Sequence, residues 1–246
     1  MGRFVILSGP SCVGKGPLHA ALRKFYPELA GALGKLVLYN SRSPRPGEMD
    51  GVDYHFRTRE QVEELRGRAG FLVMEVRGDI HALDGKELQA VLARGDAFFE
   101  GNAFVARELL TGPFARDTER LSVFLSPLSK DEIAPLNAAD SAVSLPDFVA
   151  DVMRRKLLRR TGRQKTNLSL KDLEDIERRA TSAYVEMKEA WRFDHVIPNH
   201  DGEDSENWDA FYYPLGDARR TLLAFADLLA GRPAQGAETW DEALLP

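Results

Sequence analysis

The sequence predicts an α/β fold with a parallel sheet flanked by helices, and three observations carry that expectation. Short apolar runs of strand length alternate with longer stretches of helical periodicity. The apolar runs are continuous rather than alternating, as in strands buried on both faces of a parallel sheet. A balance of 43% hydrophobic and 29% charged residues over 246 positions belongs to a globular chain able to bury a sizeable core. At roughly 100–200 residues per domain, that length allows one large domain or two small ones.

The elements follow in order. Phe4-Val5-Ile6-Leu7 is the first strand, and Leu18, Leu22 and Phe25 share one face of the helix after it. Leu36-Val37-Leu38-Tyr39 reads as a second strand and Tyr54-His55-Phe56 as a short third. Thr58 with Gln61 three residues on is a capping box for a helix carrying Val62 and Leu65. Phe71 to Val76 is strand-like. Asp84 and Glu87 repeat the capping pattern before a helix with Leu88, Val91 and Leu92, which Gly95 ends. Ala97-Phe98-Phe99 and Leu121 to Leu125 are further buried strands, and Ser129 with Glu132 opens another helix.

Residues 134–146, rich in Ala, Ser, Asp and Pro, read as a surface insertion. Pro146 suits the first turn of a helix reaching about Arg160. Leu170, Leu173, Ile176, Ala180, Ala183, Met187 and Trp191 keep one face of the next helix apolar. Val196-Ile197 is a last short strand. Asp217 to Leu229 is a terminal helix stopped by Gly231, and residues 232–246 read as a loose tail. The segment 38–80 interrupts the β-α rhythm and is expected to fold as a separate lobe on the same sheet.

Charge and cysteine content narrow the function. A formal charge of −5 argues against broad binding of nucleic acid or acidic membranes, so an anionic ligand needs locally clustered Arg and Lys. A lone cysteine, Cys12, makes no internal disulfide and suits a reducing compartment. The N-terminal apolar run of four residues lacks the shape of a signal peptide, and no stretch approaches the roughly 20 apolar residues of a membrane span. A cytoplasmic protein is expected.

Gly9-Pro10-Ser11-Cys12-Val13-Gly14-Lys15 stands between the first buried strand and a helix, the context that a Walker A phosphate loop requires. Glycines let the backbone turn its N–H groups around phosphate oxygens, and the helix N-terminus adds partial positive charge. Lys15 then reaches the β- and γ-phosphates. The Ser or Thr expected after that lysine is replaced by Gly16, with Pro17 following, so the usual Mg²⁺-binding hydroxyl is missing.

A second motif runs Asn40-Ser41-Arg42-Ser43-Pro44-Arg45-Pro46-Gly47-Glu48-Met49-Asp50-Gly51-Val52-Asp53-Tyr54-His55-Phe56. Together with the loop from Gly9 to Gly16 it resembles the guanylate kinase family of nucleoside monophosphate kinases. It meets that family's pattern, Thr-(Ser/Thr)-Arg-x-x-(Arg/Lys)-x-x-(Asp/Glu)-x-x-Gly-x-x-Tyr-x-(Phe/Tyr), everywhere except Asn40. Weaker likeness continues in Ile176-Glu177-Arg178-Arg179 and in Phe193 to Asn199, so it covers most of residues 3–200.

The resemblance implies a P-loop kinase core spanning 1–231, an inserted nucleotide-monophosphate-binding lobe at about 38–80, a lid at about 155–170 and a tail at 232–246. It implies transfer of phosphate from ATP, with Mg²⁺, to a small nucleotide substrate, most simply GMP. Gly9, Pro10, Ser11, Cys12, Val13, Gly14, Lys15 and Gly16 hold ATP, while Arg42, Arg45 and Tyr54 hold the acceptor phosphate. Two arginines three apart on a turn have the chemistry for that, through charge-assisted bidentate bonds. The basic run Arg154, Arg155, Lys156, Arg159, Arg160, Arg163 and Lys165 falls where the lid begins. Arg160 and, on the returning helix, Arg179 are the expected lid cations.

Guanine presents two adjacent donors that one carboxylate accepts, and adenine does not. Glu75, Glu100 and Asn102 stand where the resemblance places base recognition, although the aromatic and glycine pattern around the first of these is lost. Two alternatives follow from these departures. One is a kinase of another phosphorylated acceptor, such as a ribose bisphosphate; the other is a catalytically silent domain of this family that binds protein.

Overall fold

In a computed structural model of the chain, residues 2–44, 47–115, 118–138 and 142–245 are described. In order they form β1 (Phe4–Ser8), α1 (Lys15–Phe25), α2 (Pro27–Gly31), β2 (Leu33–Lys35), β3 (Tyr39–Asn40), β4 (His55–Phe56) and α3 (Arg59–Glu63). Then come β5 (Phe71–Val76), β6 (Asp79–Asp84), α4 (Gly85–Leu92), β7 (Asp96–Gly101), α5 (Ala103–Thr111) and β8 (Arg120–Ser126). The remainder is α6 (Lys130–Leu136), α7 (Leu145–Gln164), α8 (Leu170–Met187), β9 (His195–Pro198) and α9 (Gly216–Leu229). The strands make two sheets, ordered β2-β7-β1-β8-β9 and β4-β3-β6-β5. Two compact units contain these elements: Met1–Ile6 with Ala32–Leu121, and Leu7–Gly31 with Ser122–Pro246. No helix among the described residues is long and apolar enough to cross a membrane.

In the first unit β2 runs parallel to β7, with Leu33 opposite Asp96 and Lys35 opposite Phe98. The expected second strand at Leu36–Tyr39 divides differently. Leu36 N–H still bonds the Phe98 carbonyl, while the Leu38 carbonyl already accepts from His55 N–H, so residues 36–38 cross from one sheet to the other. The segment after them builds its own four-stranded sheet instead of extending the first. Its antiparallel hairpin β5–β6 pairs Met74 with His81, Glu75 with Ile80 and Val76 with Asp79. Strand β6 is hidden in the sequence because charged residues close both of its ends.

Residues directly opposite across a ladder share a face of the sheet, and neighbours along a strand alternate. One face therefore carries Tyr39, Val73, Ile80 and Ala82, and it is sealed by Val62 and Leu65 from α3 and the turn after it. The other carries Asn40, Phe56, Met74, Asp79 and His81. Thr58 and Gln61 form the expected capping box. Asp84 caps α4 through Lys86 N–H at 2.8 Å, but Glu87 does not complete a box and instead meets His55 Nε2 at 3.3 Å.

In the second unit β8 and β9 are parallel, with Val123 opposite His195 and Ser126 opposite Pro198. The Ser129–Glu132 capping box opens α6, which runs into the segment expected as an insertion and contains Pro135. Helix α7 continues beyond the expected stop at Arg160, to Gln164. Ser169 and Asp172 box the start of α8, which packs against α7.

The expected loose tail is ordered. Glu238 bridges Val196 through two backbone bonds of 2.7 and 2.8 Å. Its carboxylate accepts from Lys130 N–H at 3.0 Å and from Trp240 Nε1–H at 2.6 Å, and Trp240 and Leu245 are buried. Aromatic and aliphatic residues placed sparsely in a polar segment give no periodicity, so the sequence conceals this anchor. Glu238→Ala is expected to cost about 2 kcal/mol of stability, since two bonds are lost and a donor near the core is left unpaired. Urea unfolding checks this; an unchanged midpoint would mean that the tail contributes nothing.

Candidate active site

The second unit contains the phosphate loop. Between β1 and α1 the backbone turns at Gly9 (φ 144°) and Gly14 (φ 106°), conformations that favour glycine. Space enforces the same choice: a Cβ on Gly9 would lie 2.4 Å from the Leu125 carbonyl oxygen, and one on Gly14 2.4 Å from Asn199 Nδ2. Lys15 Nζ donates to the carbonyls of Gly9 and Pro10, both at 2.8 Å, which folds the ammonium over the loop. Gly14 caps α1 without a side-chain acceptor, and the first turn carries no acid. That helix end is electrically positive and suits an anion.

A segment outside both sequence motifs braces this loop. Asn199 Nδ2 donates to the Val13 carbonyl at 2.7 Å and to the Asp201 carbonyl at 2.8 Å. Trp208 Nε1–H closes the same turn on the carbonyls of Asp201 and Gly202. From α7, the buried Lys156 donates to the His200 carbonyl and Arg159 Nε to Asp204 at 2.8 Å. In the sequence Asn199 ends the weaker likeness at Phe193 to Asn199, and Lys156 and Arg159 belong to the basic run, but the polar residues from 200 to 208 read as a solvated loop.

Cys12 is buried in this brace. Burial pushes its thiol up to about 12; Glu203, to which it donates, and Asp204 push the same way, while Arg160 opposes them. Cys12 is therefore a protonated structural thiol. Arg160 lies within the field of the loop, and its Nε is buried without a hydrogen-bond partner. Arg179, on α8, is paired with Asp175 at 2.7 Å. The structure thus brings Arg160 to the loop's surroundings and gives Arg179 an acidic neighbour on its own helix.

The first unit contains the second motif. Asn40 is buried, and its Oδ1 accepts from Arg42 N–H at 3.0 Å, which shapes the turn. Ser41 Oγ accepts from Ile80 N–H at 2.8 Å and ties that turn to β6. The Arg42 guanidinium lies 5.2 Å from the Tyr54 ring centre and 5.4 Å from that of Phe56. Glu48 accepts from Arg42 Nη1 and Nη2, both at 2.7 Å. Partial burial works against the charge on Arg42, but the bonds to Glu48 outweigh it and raise its pKa. Arg45 lies outside the described residues.

The base-reading candidates are dispersed. Glu75 is on the α3-covered face of the sheet, where Arg59 holds it at 2.8 Å among exposed side chains, so it does not share the face of Asn40 and Phe56. Asn102 is the N-cap of α5, its Oδ1 accepting from Phe104 N–H at 2.8 Å, and Glu100 is half-buried one residue before the end of β7. On the Asn40 face, His81 is 8% exposed, its ring centre 6.2 Å from that of Tyr54 and its Nδ1 without a hydrogen-bond partner. Burial lowers the His81 pKa to about 4, with Asp79 opposing and Arg42 assisting, so the imidazole is neutral.

Comparison with known proteins agrees with both motifs. The sequence model described as guanylate kinase matches residues 1–99. The guanylate kinase of Corynebacterium jeikeium (strain K411) is 32% identical over 206 residues, 81% of this chain and 89% of that protein. Guanylate kinases of Synechococcus sp. (strain JA-3-3Ab) and Rhodococcus jostii (strain RHA1) are 30% and 29% identical, over 87% and 97% of this chain and 83% and 92% of theirs. In fold, the chain is similar to the crystal structure of guanylate kinase from Anaplasma phagocytophilum, with a TM-score of 0.54 at 20% identity, covering 94% of this chain and 85% of that one.

Proposed function

The chain belongs to the guanylate kinase family, and we propose that it transfers the γ-phosphoryl group of ATP to the phosphate of GMP, giving ADP and GDP. The observation that carries this reading is the retention, in one chain, of the lysine-bearing phosphate loop and of the Arg42–Tyr54 pair. A domain that only bound protein would have no need of either.

Each group has a task in that reaction. Loop amides and the N-terminus of α1 hold the ATP phosphates, and Lys15 stabilises charge on the group in flight. Arg42 and Tyr54, with Arg45 from the same motif, orient the acceptor phosphate so that one of its oxygens attacks the γ-phosphorus as the bond to the β-γ bridging oxygen breaks. Arg160 adds positive charge over the phosphate loop, and Arg179 is the second lid cation if its ion pair with Asp175 opens. The lobe around 38–80 and the lid around 155–170 are assigned on the same basis.

The residues after Lys15 do not fit a protein-held Mg²⁺. Gly16 and Pro17 have no side-chain oxygen, and no group of three His, Cys, Asp or Glu side chains is placed for a metal among the described residues. A Mg²⁺ ion would then depend for its ligands on substrate phosphates and water, where it would offset phosphate charge. A high Mg²⁺ concentration at half-maximal rate is expected. A Cβ at Gly16 meets nothing within 4 Å, so Gly16→Ser can supply the hydroxyl without a clash and should lower that concentration several-fold. Saturation of the wild type at micromolar Mg²⁺, unchanged in the variant, would contradict this.

The test of the function is ADP release across GMP, dGMP, AMP, UMP, CMP and ribose phosphates. GMP turnover at least about tenfold above the others supports the proposal. Preference for a ribose phosphate would favour the reading suggested by the displaced Glu75, and no turnover at all would favour a binding domain.

A further inference from the structure

We propose that Asp79 is the carboxylate that reads the guanine base, in place of a carboxylate on β5. This rests on the proposed binding of GMP through Arg42, and it names the group that gives the site its specificity.

Parity along the strands separates the two candidate carboxylates. In the β5–β6 ladder Glu75 is opposite Ile80 and Val76 is opposite Asp79. Ile80 belongs to the cluster sealed by α3, so Glu75 is carried to that side, where Arg59 takes its charge. Asp79 is one residue away from Ile80 and so falls on the opposite face, together with His81, Asn40 and Phe56. Arg42 and Tyr54 gather on that same face through their contacts with Phe56 and His81.

Asp79 is also available. Among the described residues its carboxylate takes part in no hydrogen bond and no ion pair, yet it lies within the electrostatic reach of both Arg42 and His81. Asn102, by contrast, spends its side-chain oxygen on the cap of α5.

A second observation points to a ligand at this place. His81 is more than nine-tenths buried with Nδ1 unpartnered, and a buried polar atom of that kind calls for a partner that the free protein does not supply. The neutral imidazole offers one donor and one acceptor according to its tautomer, and it sets no charge of its own against Asp79. Two carboxylate oxygens then match the adjacent N1–H and 2-amino donors of guanine. Adenine offers no such pair, and inosine keeps N1–H but lacks the amine.

The experiment measures kcat/KM for GMP, IMP and AMP with the full-length wild type, Asp79→Asn and Glu75→Gln, with melting temperatures taken alongside. The wild type is expected to prefer GMP to IMP by tenfold or more. D79N should bring that ratio within about threefold while the KM for ATP stays unchanged, and E75Q should leave the ratio as in the wild type. A ratio is insensitive to partial unfolding, and D79E, which restores the charge, should recover part of it. An unchanged ratio in D79N, or a collapse in E75Q instead, overturns the assignment and leaves the kinase reading standing. A wild type that does not phosphorylate GMP overturns both.

Discussion

Replacing Lys15 with methionine is expected to lower kcat by about 100- to 1000-fold, the range for removing one preorganised electrostatic donor from a reacting centre. Methionine keeps nearly the length of the lysine stem and removes only the ammonium. In the free protein that ammonium is satisfied by the carbonyls of Gly9 and Pro10, two buried residues that lose a donor in the variant. Leaving those acceptors unsatisfied is expected to cost about 1–3 kcal/mol, so kcat is compared well below the variant's own melting temperature, which separates lost chemistry from lost folding. The loss should fall mainly on kcat, because charge on the transferring group builds up in the transition state and the loop amides still bind ATP. Activity retained within about threefold would remove Lys15 from the mechanism.

Lys15 is legible in the sequence because its whole context is local: a buried strand, a glycine turn and a helix start follow one another directly. Arg42 is legible for the same reason, and Asn40 keeps the turn by accepting from Arg42 N–H with a side-chain oxygen. Glu75 shows where such reading ends. Which face a strand residue takes depends on the register of its partner, and that partner, β6, is masked between its terminal Asp79 and Asp84. A shift of one position along a strand moves a side chain through the sheet.

The brace around Cys12 is hidden for a related reason. Asn199, Lys156 and Arg159 act around the loop from positions far along the chain, and no local pattern in the sequence joins them to it. The ordered tail repeats the lesson, since Glu238 matters only through Lys130 and Trp240.

Arg42→Ala is expected to lower kcat/KM for GMP by roughly 100- to 1000-fold and to leave the KM for ATP within about threefold. Glu48 uses Nη1 and Nη2, so the Nε edge of the guanidinium remains to grip a phosphate. Losing two charge-assisted bonds, each near the low end of about 1.5–3 kcal/mol, sets the size of the effect. Arg42→Lys separates charge from geometry. A lysine restores one positive charge but neither the planar fork nor its packing against Tyr54 and Phe56, so it should recover only part of the loss. Removing Arg42 also takes two hydrogen bonds from the half-buried Glu48, so unfolding must be measured on both variants. If ATP affinity falls as far as GMP affinity in a variant that melts normally, Arg42 is not specific to the acceptor. The division of the two motifs between donor and acceptor would then have to be redrawn, because an arginine serving one substrate cannot weaken both equally.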